Sequence, residues 1–156
     1  MQFDDLDILI LQEMQIDSSL PLADLAERVG SSKSVCWRRI QRYLKNGVIR
    51  ERVALLDGKK LGLGVTVFVD VTMERSSEYG DFFEEIKAFP EIIECHVLSG
   101  RISYLLKVVV RDVEDYERFF WSSLSKIKDV REINSYFSMT SFVDTTRLPL
   151  DNVILK

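Results

Sequence analysis

Leu25-Ala26-Glu27-Arg28-Val29-Gly30-Ser31-Ser32-Lys33-Ser34-Val35-Cys36-Trp37-Arg38-Arg39-Ile40 decides how this chain begins to fold. Gly30 can take the left-handed backbone conformation that ends a helix. Ser31 or Ser32 can cap another helix directly afterwards. The chain therefore turns sharply between two helices, and small Ala26 and Cys36 on either side of the turn let them cross closely. Two helices joined by a short glycine turn are the signature of a helix-turn-helix.

The helix after the turn is predicted over residues 32–45, ending at Asn46-Gly47. Cys36, Ile40, Tyr43 and Leu44 define its apolar face, and at about 100° per residue the opposite face carries Ser34, Arg38, Gln41, Arg42 and Lys45. Trp37 and Arg39 fall on the flanks. A cationic face on an isolated helix reads equally well as a solvated surface. In the second helix of a helix-turn-helix, with no acid to balance it, it reads as a surface for double-stranded DNA.

Net charge of −4 alone argues against a nucleic-acid partner, but its distribution reverses that inference. Between residues 28 and 52 stand Arg28, Lys33, Arg38, Arg39, Arg42, Lys45, Arg50 and Arg52 against the single acid Glu51, while the rest of the chain is acidic. Such asymmetry marks a basic contact surface attached to a domain with another task. Ser32, Lys33 and Ser34, at the helix N-terminus, can hold phosphate or base edges through hydroxyls and backbone N–H groups. Arg38 is the first candidate for reading bases, because a guanidinium can bond guanine O6 and N7 together. Lys33, Arg39, Arg42 and Lys45 are candidates for phosphate neutralisation. Trp37 has two readings, contact at the DNA surface or packing against the first helix.

Upstream, Asp4 is placed to cap a helix with Asp7 three residues on, and Leu6, Leu9, Ile10 and Met14 recur at helical spacing. This predicts a helix over residues 5–15. Pro21 opens a second, short helix carrying Leu22, Leu25, Ala26 and Val29. Downstream, residues 48–57 read as an extended segment, either a wing or a strand leading to a linker, and residues 57–64 are rich in glycine and charge. The natural boundary separates a DNA-binding domain with its linker, residues 1–60, from a second domain, residues 61–156.

The second half opens on an alternation, with Val65, Val67, Val69, Val71 and Met73 on one face and Thr66, Phe68, Asp70 and Thr72 on the other. A helix follows, bearing Tyr79, Phe82, Phe83, Ile86 and Phe89, and Pro90 closes it. Strands over residues 92–99 and 103–110 flank Gly100-Arg101-Ile102. Asp112 caps a helix with Val113, Tyr116, Phe119, Phe120 and Ile127, and a last strand is predicted over residues 130–143. The order β-α-β-β-α-β is ferredoxin-like, making the whole an α+β protein with a (winged) helix-turn-helix at its N-terminal end. The two helices cover one sheet face. Alternation places Phe68, Leu98, Leu105, Val109, Tyr136 and Phe142 on the other, which is too apolar to face water. A second copy of the same sheet in a two-fold dimer would cover it. Such a dimer can set two recognition helices about 34 Å apart, one turn of the duplex.

Enzymatic chemistry is not expected. The one histidine, His96, lies mid-strand outside any metal-ligand spacing, and neither a phosphate-binding glycine loop nor a nucleophile elbow is present. No metal or cofactor is expected. Cys36 and Cys95 lie far apart without a Cys-x-x-Cys spacing and read as small buried residues. A composition of 46% hydrophobic and 29% charged residues is that of a soluble globular chain. No stretch approaches the roughly 18–20 apolar residues of a membrane span. The acidic start does not read as a secretory signal. A cytoplasmic, nucleoid-associated location without a membrane partner is expected.

These residues resemble the leucine-responsive regulatory protein and AsnC (feast/famine) family of transcription regulators over nearly the whole chain. The resemblance is carried by Asp5-Leu6-Asp7-x-x-Ile10-Leu11, Leu25-Ala26-x-x-Val29-Gly30-Ser31-Ser32, Cys36-Trp37-Arg38-Arg39-Ile40 and Gly47-Val48-Ile49. Leu61-Gly62-Leu63-Gly64, Gly100 through Tyr104-Leu105-Leu106-Lys107-Val108, and Thr145-Thr146-x-Leu148-Pro149-Leu150 extend it. Residues 53–57, Val-Ala-Leu-Leu-Asp, resemble a branch that regulates amino-acid catabolism, of cysteine or another sulfur compound.

The resemblance implies a ligand-sensing second domain and homodimers that assemble into octamers or similar rings. It also implies an amino-acid effector near the loop of Gly100, Arg101, Ile102, Ser103 and Tyr104, with Thr140 and Ser141 as further candidates for the pocket wall. Many members of the family carry aspartate where this chain has Ser103, an acid suited to the effector's ammonium group, and serine supplies no such countercharge. Arg101 could attract a carboxylate. The bland alternative for the loop is a glycine-assisted hairpin. For the chain as a whole, the alternative is an architectural DNA-binding protein without an effector.

Overall fold

The structure is a computed structural model and describes residues 2–74 and 79–153. It divides into two compact units, residues 1–55 with 143–156, and residues 56–142.

In the first unit Asp4 caps α1 (Asp5–Ile16). Its carboxylate accepts from the Asp7 N–H at 2.8 Å, while the Asp7 carboxylate accepts from the Asp4 N–H at 3.0 Å, a reciprocal capping box. Helix α2 (Leu22–Arg28) starts one residue after Pro21, whose carbonyl accepts from the Leu25 N–H. Gly30, at φ +62°, turns the chain so that the Ser31 N–H reaches back to the Ala26 carbonyl at 2.8 Å. Ser32 then caps α3 (Lys33–Lys45) by accepting from the Val35 N–H. Ile10, Leu11, Leu25, Ala26, Val29, Cys36, Ile40 and Tyr43 form the core of the three helices. Leu44, expected on the same face of α3, is exposed. It lies one residue past Tyr43, and the 100° step carries it off the buried stripe.

Residues 50–57 carry no strand pairing, so neither a wing nor a strand forms there within one chain. Val53, Leu55 and Leu56 are exposed along it. The tail, expected with the second domain, clusters with the first unit from residue 143 onward. The Gln15 side-chain amide accepts from the Leu148 N–H and donates to the Leu148 carbonyl. Gln12 donates to Asp151, and Leu150 packs on the core of the first unit.

The second unit is a four-stranded antiparallel sheet in the order β2-β3-β1-β4, built from β1 (Val65–Met73), β2 (Ile92–Val97), β3 (Tyr104–Val110) and β4 (Val130–Phe137). Together with α4 (Tyr79–Ile86) and α5 (Val113–Ser122) it gives the ferredoxin-like order. Val67, Val69, Val71, Leu106, Val108 and Val110 face Phe82, Ile86, Tyr116 and Phe119 in its core. The side chain of Tyr79, expected on the buried face of α4, lies outside the described residues.

The last strand is shorter than expected. The Ser138 N–H still bonds the Thr66 carbonyl, but β1 begins at Val65 and offers no further edge. Phe142 is consequently 94% exposed in an irregular segment rather than on the sheet. Phe68, Leu98 and Tyr136 are exposed, and Leu105 and Val109 half-buried, on the uncovered face.

Candidate nucleic-acid interface and effector loop

Of the eight residues expected to meet DNA, Ser32, Lys33, Ser34, Arg38 and Lys45 are exposed on or just before α3. The Ser32 hydroxyl already caps the helix and lies 3.1 Å from that of Ser34, so at this end the serines order the first turn. Trp37 is 57% exposed and lines a groove of about 240 Å³ with Met14, Leu20, Leu22, Ile40 and Arg52. Trp37 thus borders a groove that Met14 of α1 also lines and keeps more than half of its surface exposed.

Arg39 and Arg42 both bond to carboxylates of the protein itself. Arg39 donates through Nη1 to Asp4 and to Asp7 at 2.6 Å each, and through Nη2 to Asp4 at 2.8 Å. Its side chain is only 19% exposed. Arg42 donates to the same Asp7 Oδ1 at 2.6 Å, and the buried Tyr43 hydroxyl donates to it at 2.5 Å. Three donors therefore converge on one carboxylate oxygen, on a side chain that is 2% exposed. Arg39 is a clamp between α3 and α1, and its charge is neutralised before any phosphate arrives. Arg42 is shared, with a side chain 43% exposed.

The electrostatics follow from this geometry. Hydrogen bonds from Arg39 hold the Asp4 carboxyl down to about 2. Burial pushes Asp7 up, but hydrogen bonds from Tyr43, the Asp4 N–H and Arg39 outweigh it, and the carboxyl stays below its ordinary value. Burial and the bond to Asp7 raise the Tyr43 hydroxyl far above its usual range. The roles of Asp4 and Asp7 were only half legible in the sequence, where their spacing marks a helix cap. The second signal is Arg39 and Arg42, three residues apart and so on one side of α3.

The expected effector residues separate in the fold. Tyr104 is 2% exposed and stacks on Phe82 at 4.1 Å between centroids, which makes it a core residue. Ser103 is tied into the sheet: its N–H bonds the Val71 carbonyl, and its hydroxyl accepts from the Met73 N–H where β1 shifts register. Thr140 and Ser141 lie beyond β4 in the exposed segment, not on a strand beside the loop. Gly100 and Arg101 are exposed, and Ile102 is half-buried. Gly100 does not adopt a left-handed φ, and a Cβ there would meet nothing within 4 Å, so the hairpin itself does not require glycine. No group of three or more potential metal ligands occurs among the described residues, nor is any helix there long and apolar enough to cross a membrane.

A capped recognition helix with an exposed basic face, joined to a ferredoxin-like α+β domain, defines a helix-turn-helix DNA-binding regulator. Residues 3–44 match the model of the AsnC-type helix-turn-helix domain, and residues 66–148 that of the Lrp/AsnC ligand binding domain. The chain belongs to the Lrp/AsnC family of transcription regulators, which are not enzymes.

A glutamate uptake regulatory protein of Zymomonas mobilis is 40% identical over 151 residues, covering 96% of this chain and 92% of that protein. The crystal structure of an AsnC family transcriptional regulator from Agrobacterium tumefaciens superposes with a TM-score of 0.91 at 44% identity, over 97% of this chain and all of that one. A transcriptional regulator of Neisseria meningitidis, solved with L-methionine, gives a TM-score of 0.92 at 31% identity, over 96% and 97% of the two chains.

Proposed function

We propose that this regulator reads a specific DNA sequence through α3, and that an amino acid bound at the 100–103 loop changes its occupancy of that DNA. The observation that carries the reading is the division of labour on α3. Arg39 is consumed in the clamp to α1, while Lys33, Arg38 and Lys45 stand free of ion pairs among the described residues, on the exposed helix. Arg38 reads bases, Lys33 and Lys45 neutralise phosphates, and Ser32 and Ser34 position the helix N-terminus against the backbone.

The protein acts as a homodimer in the cytoplasm, associated with the nucleoid. The exposed sheet face of Phe68, Leu105, Val109 and Tyr136 is the pairing surface, and dimers assemble further into an octamer or similar ring. The names of the relatives support an amino-acid effector, since one regulates glutamate uptake and another holds L-methionine. Arg101, exposed on the loop, suits the ligand's carboxylate. Amino-acid metabolism is then the controlled process. The ligand must bind two states of the assembly differently to change DNA occupancy.

A second reading, an architectural protein with no effector, is favoured by one observation: the Ser103 hydroxyl is already committed to the Met73 N–H. Thermal-shift screening of the full chain against the twenty amino acids, with sedimentation of any that bind, separates the two. A shift in melting temperature and in assembly with at least one amino acid supports the regulator reading. No response to any of them supports the architectural one.

A further inference from the structure

Asp7 holds one more cation than its burial requires. Its Oδ2 accepts from the Asp4 N–H, and its Oδ1 accepts from Arg39 at 2.6 Å and from the Tyr43 hydroxyl at 2.5 Å. A cation and two neutral donors already compensate this carboxylate, whose side chain is 2% exposed. Arg42 nonetheless brings a second guanidinium to Oδ1 at 2.6 Å.

The two arginines are bound in different ways. Arg39 commits both terminal nitrogens, to Asp4 and Asp7, and its side chain is largely buried. Arg42 makes one side-chain hydrogen bond among the described residues, through Nη2, and its side chain is 43% exposed. Asp4, the other acid of the cluster, bonds Arg39 and not Arg42. A planar fork held at one nitrogen keeps its other N–H groups for an outside acceptor.

Placement on α3 says what that acceptor is. Residues three and four apart are neighbours on a helix, so Ser34, Arg38, Arg42 and Lys45 form one row, and each of them is exposed. Arg42 therefore stands between Arg38 and Lys45, the two cations of that row that make no ion pair among the described residues. A long side chain gives up rotamer freedom when it grips a phosphate, and one already fixed by a buried carboxylate has given it up before DNA arrives.

We propose that Asp7 is a positioning residue for DNA binding: it holds Arg42 by one nitrogen and presents the rest of the guanidinium to a phosphate of the duplex. This rests on the reading that α3 meets DNA. The competing role for Asp7 is to tie α1 to α3 and nothing more, with Arg42 consumed in the tie as Arg39 is.

A double-mutant cycle on duplex affinity separates the two roles. It uses the full chain and a duplex selected in vitro, titrated at several salt concentrations where circular dichroism shows each variant folded. Arg42→Ala should weaken binding about tenfold or more. It should also flatten the log–log salt slope by about 0.9 per half-site, about 1.8 for a dimer on two half-sites. Asp7→Asn should weaken binding by the native chain, yet change it by less than about twofold in the Arg42→Ala background. Arg42→Lys should keep the slope and lose affinity, because an ammonium carries the charge without the fork that spans both acceptors. If Asp7→Asn does not fold, the two Arg42 variants, which replace an exposed side chain, decide.

An Arg42→Ala protein with the native slope overturns the assignment, as does an Arg42→Lys protein with native affinity. So does an Asp7→Asn change that weakens binding equally in both backgrounds, which is the tie role, or one that strengthens it. If Lys45→Ala and Arg42→Ala both leave the slope unchanged, the reading that α3 meets DNA falls and this assignment falls with it. If Lys45→Ala flattens the slope and Arg42→Ala does not, that reading stands and this assignment alone is wrong.

Discussion

The Arg39 guanidinium and the buried Asp7 carboxylate meet at 2.6 Å, joining the recognition helix to the first helix of its unit. An arginine that sequence alone assigns to phosphate is therefore bonded within the protein, to Asp4 and Asp7. Asp7 gathers Arg39, Arg42 and Tyr43 on one oxygen, so its removal strands several donors together.

Asp7→Asn should destabilise the chain by about 3 kcal/mol. This is the lower end of the cost of breaking a buried ion pair, because Arg39 keeps its bonds to Asp4. Urea unfolding followed by Trp37 fluorescence in a Trp121→Phe background measures it. Arg39→Ala should lower stability similarly while leaving the salt slope of DNA binding intact. A reduced slope would return Arg39 to the phosphate contacts.

The same cluster sets an acid limit. Asp4 falls from 3.8 to about 2 in the folded chain, and Asp7 is also lowered. Carboxyls depressed by folding contribute stability that is present above their unfolded pKa and lost as pH falls through the folded value. The urea midpoint reported by Trp37 should be level above about pH 5 and drop between about pH 4 and 2. The drop should be shallower in Asp7→Asn. Equal pH dependence in the two proteins would remove the cluster from the account.

Pairing through the sheet is tested at Phe68, which projects from the outer face next to Tyr136 in the β1–β4 register. Phe68→Glu places a charge where a second copy would lie. The native chain should sediment as a dimer or larger, and the variant as a folded monomer. Unchanged assembly in the variant would move the interface elsewhere.

Much of this was legible in the sequence, and for stated physical reasons. Gly30 followed by Ser32 announces the helix-turn-helix through backbone conformation and capping, both local properties. Alternation from Val65 to Met73 fixes which face of β1 is buried. Relations between distant segments were not legible. Nothing local says that Arg39 turns back to Asp4 and Asp7, that Gln15 bonds the backbone of Leu148, or that Tyr104 faces the core while its neighbour Ser103 caps a bulge. The length of β4 also depended on its partner, since the strand stops where β1 begins.

The most direct test of the central claim, that α3 reads sequence through Arg38, is a binding titration at several salt concentrations. It would compare a duplex selected in vitro with a scrambled duplex of equal length. Arg38→Ala should lose about 1–3 kcal/mol of discrimination between the two per half-site. Lys45→Ala should weaken both alike and flatten the log–log salt slope by about 0.9 per half-site, about 1.8 for a dimer on two half-sites. An Arg38→Ala protein that distinguishes the two duplexes as well as the native chain does would contradict the account.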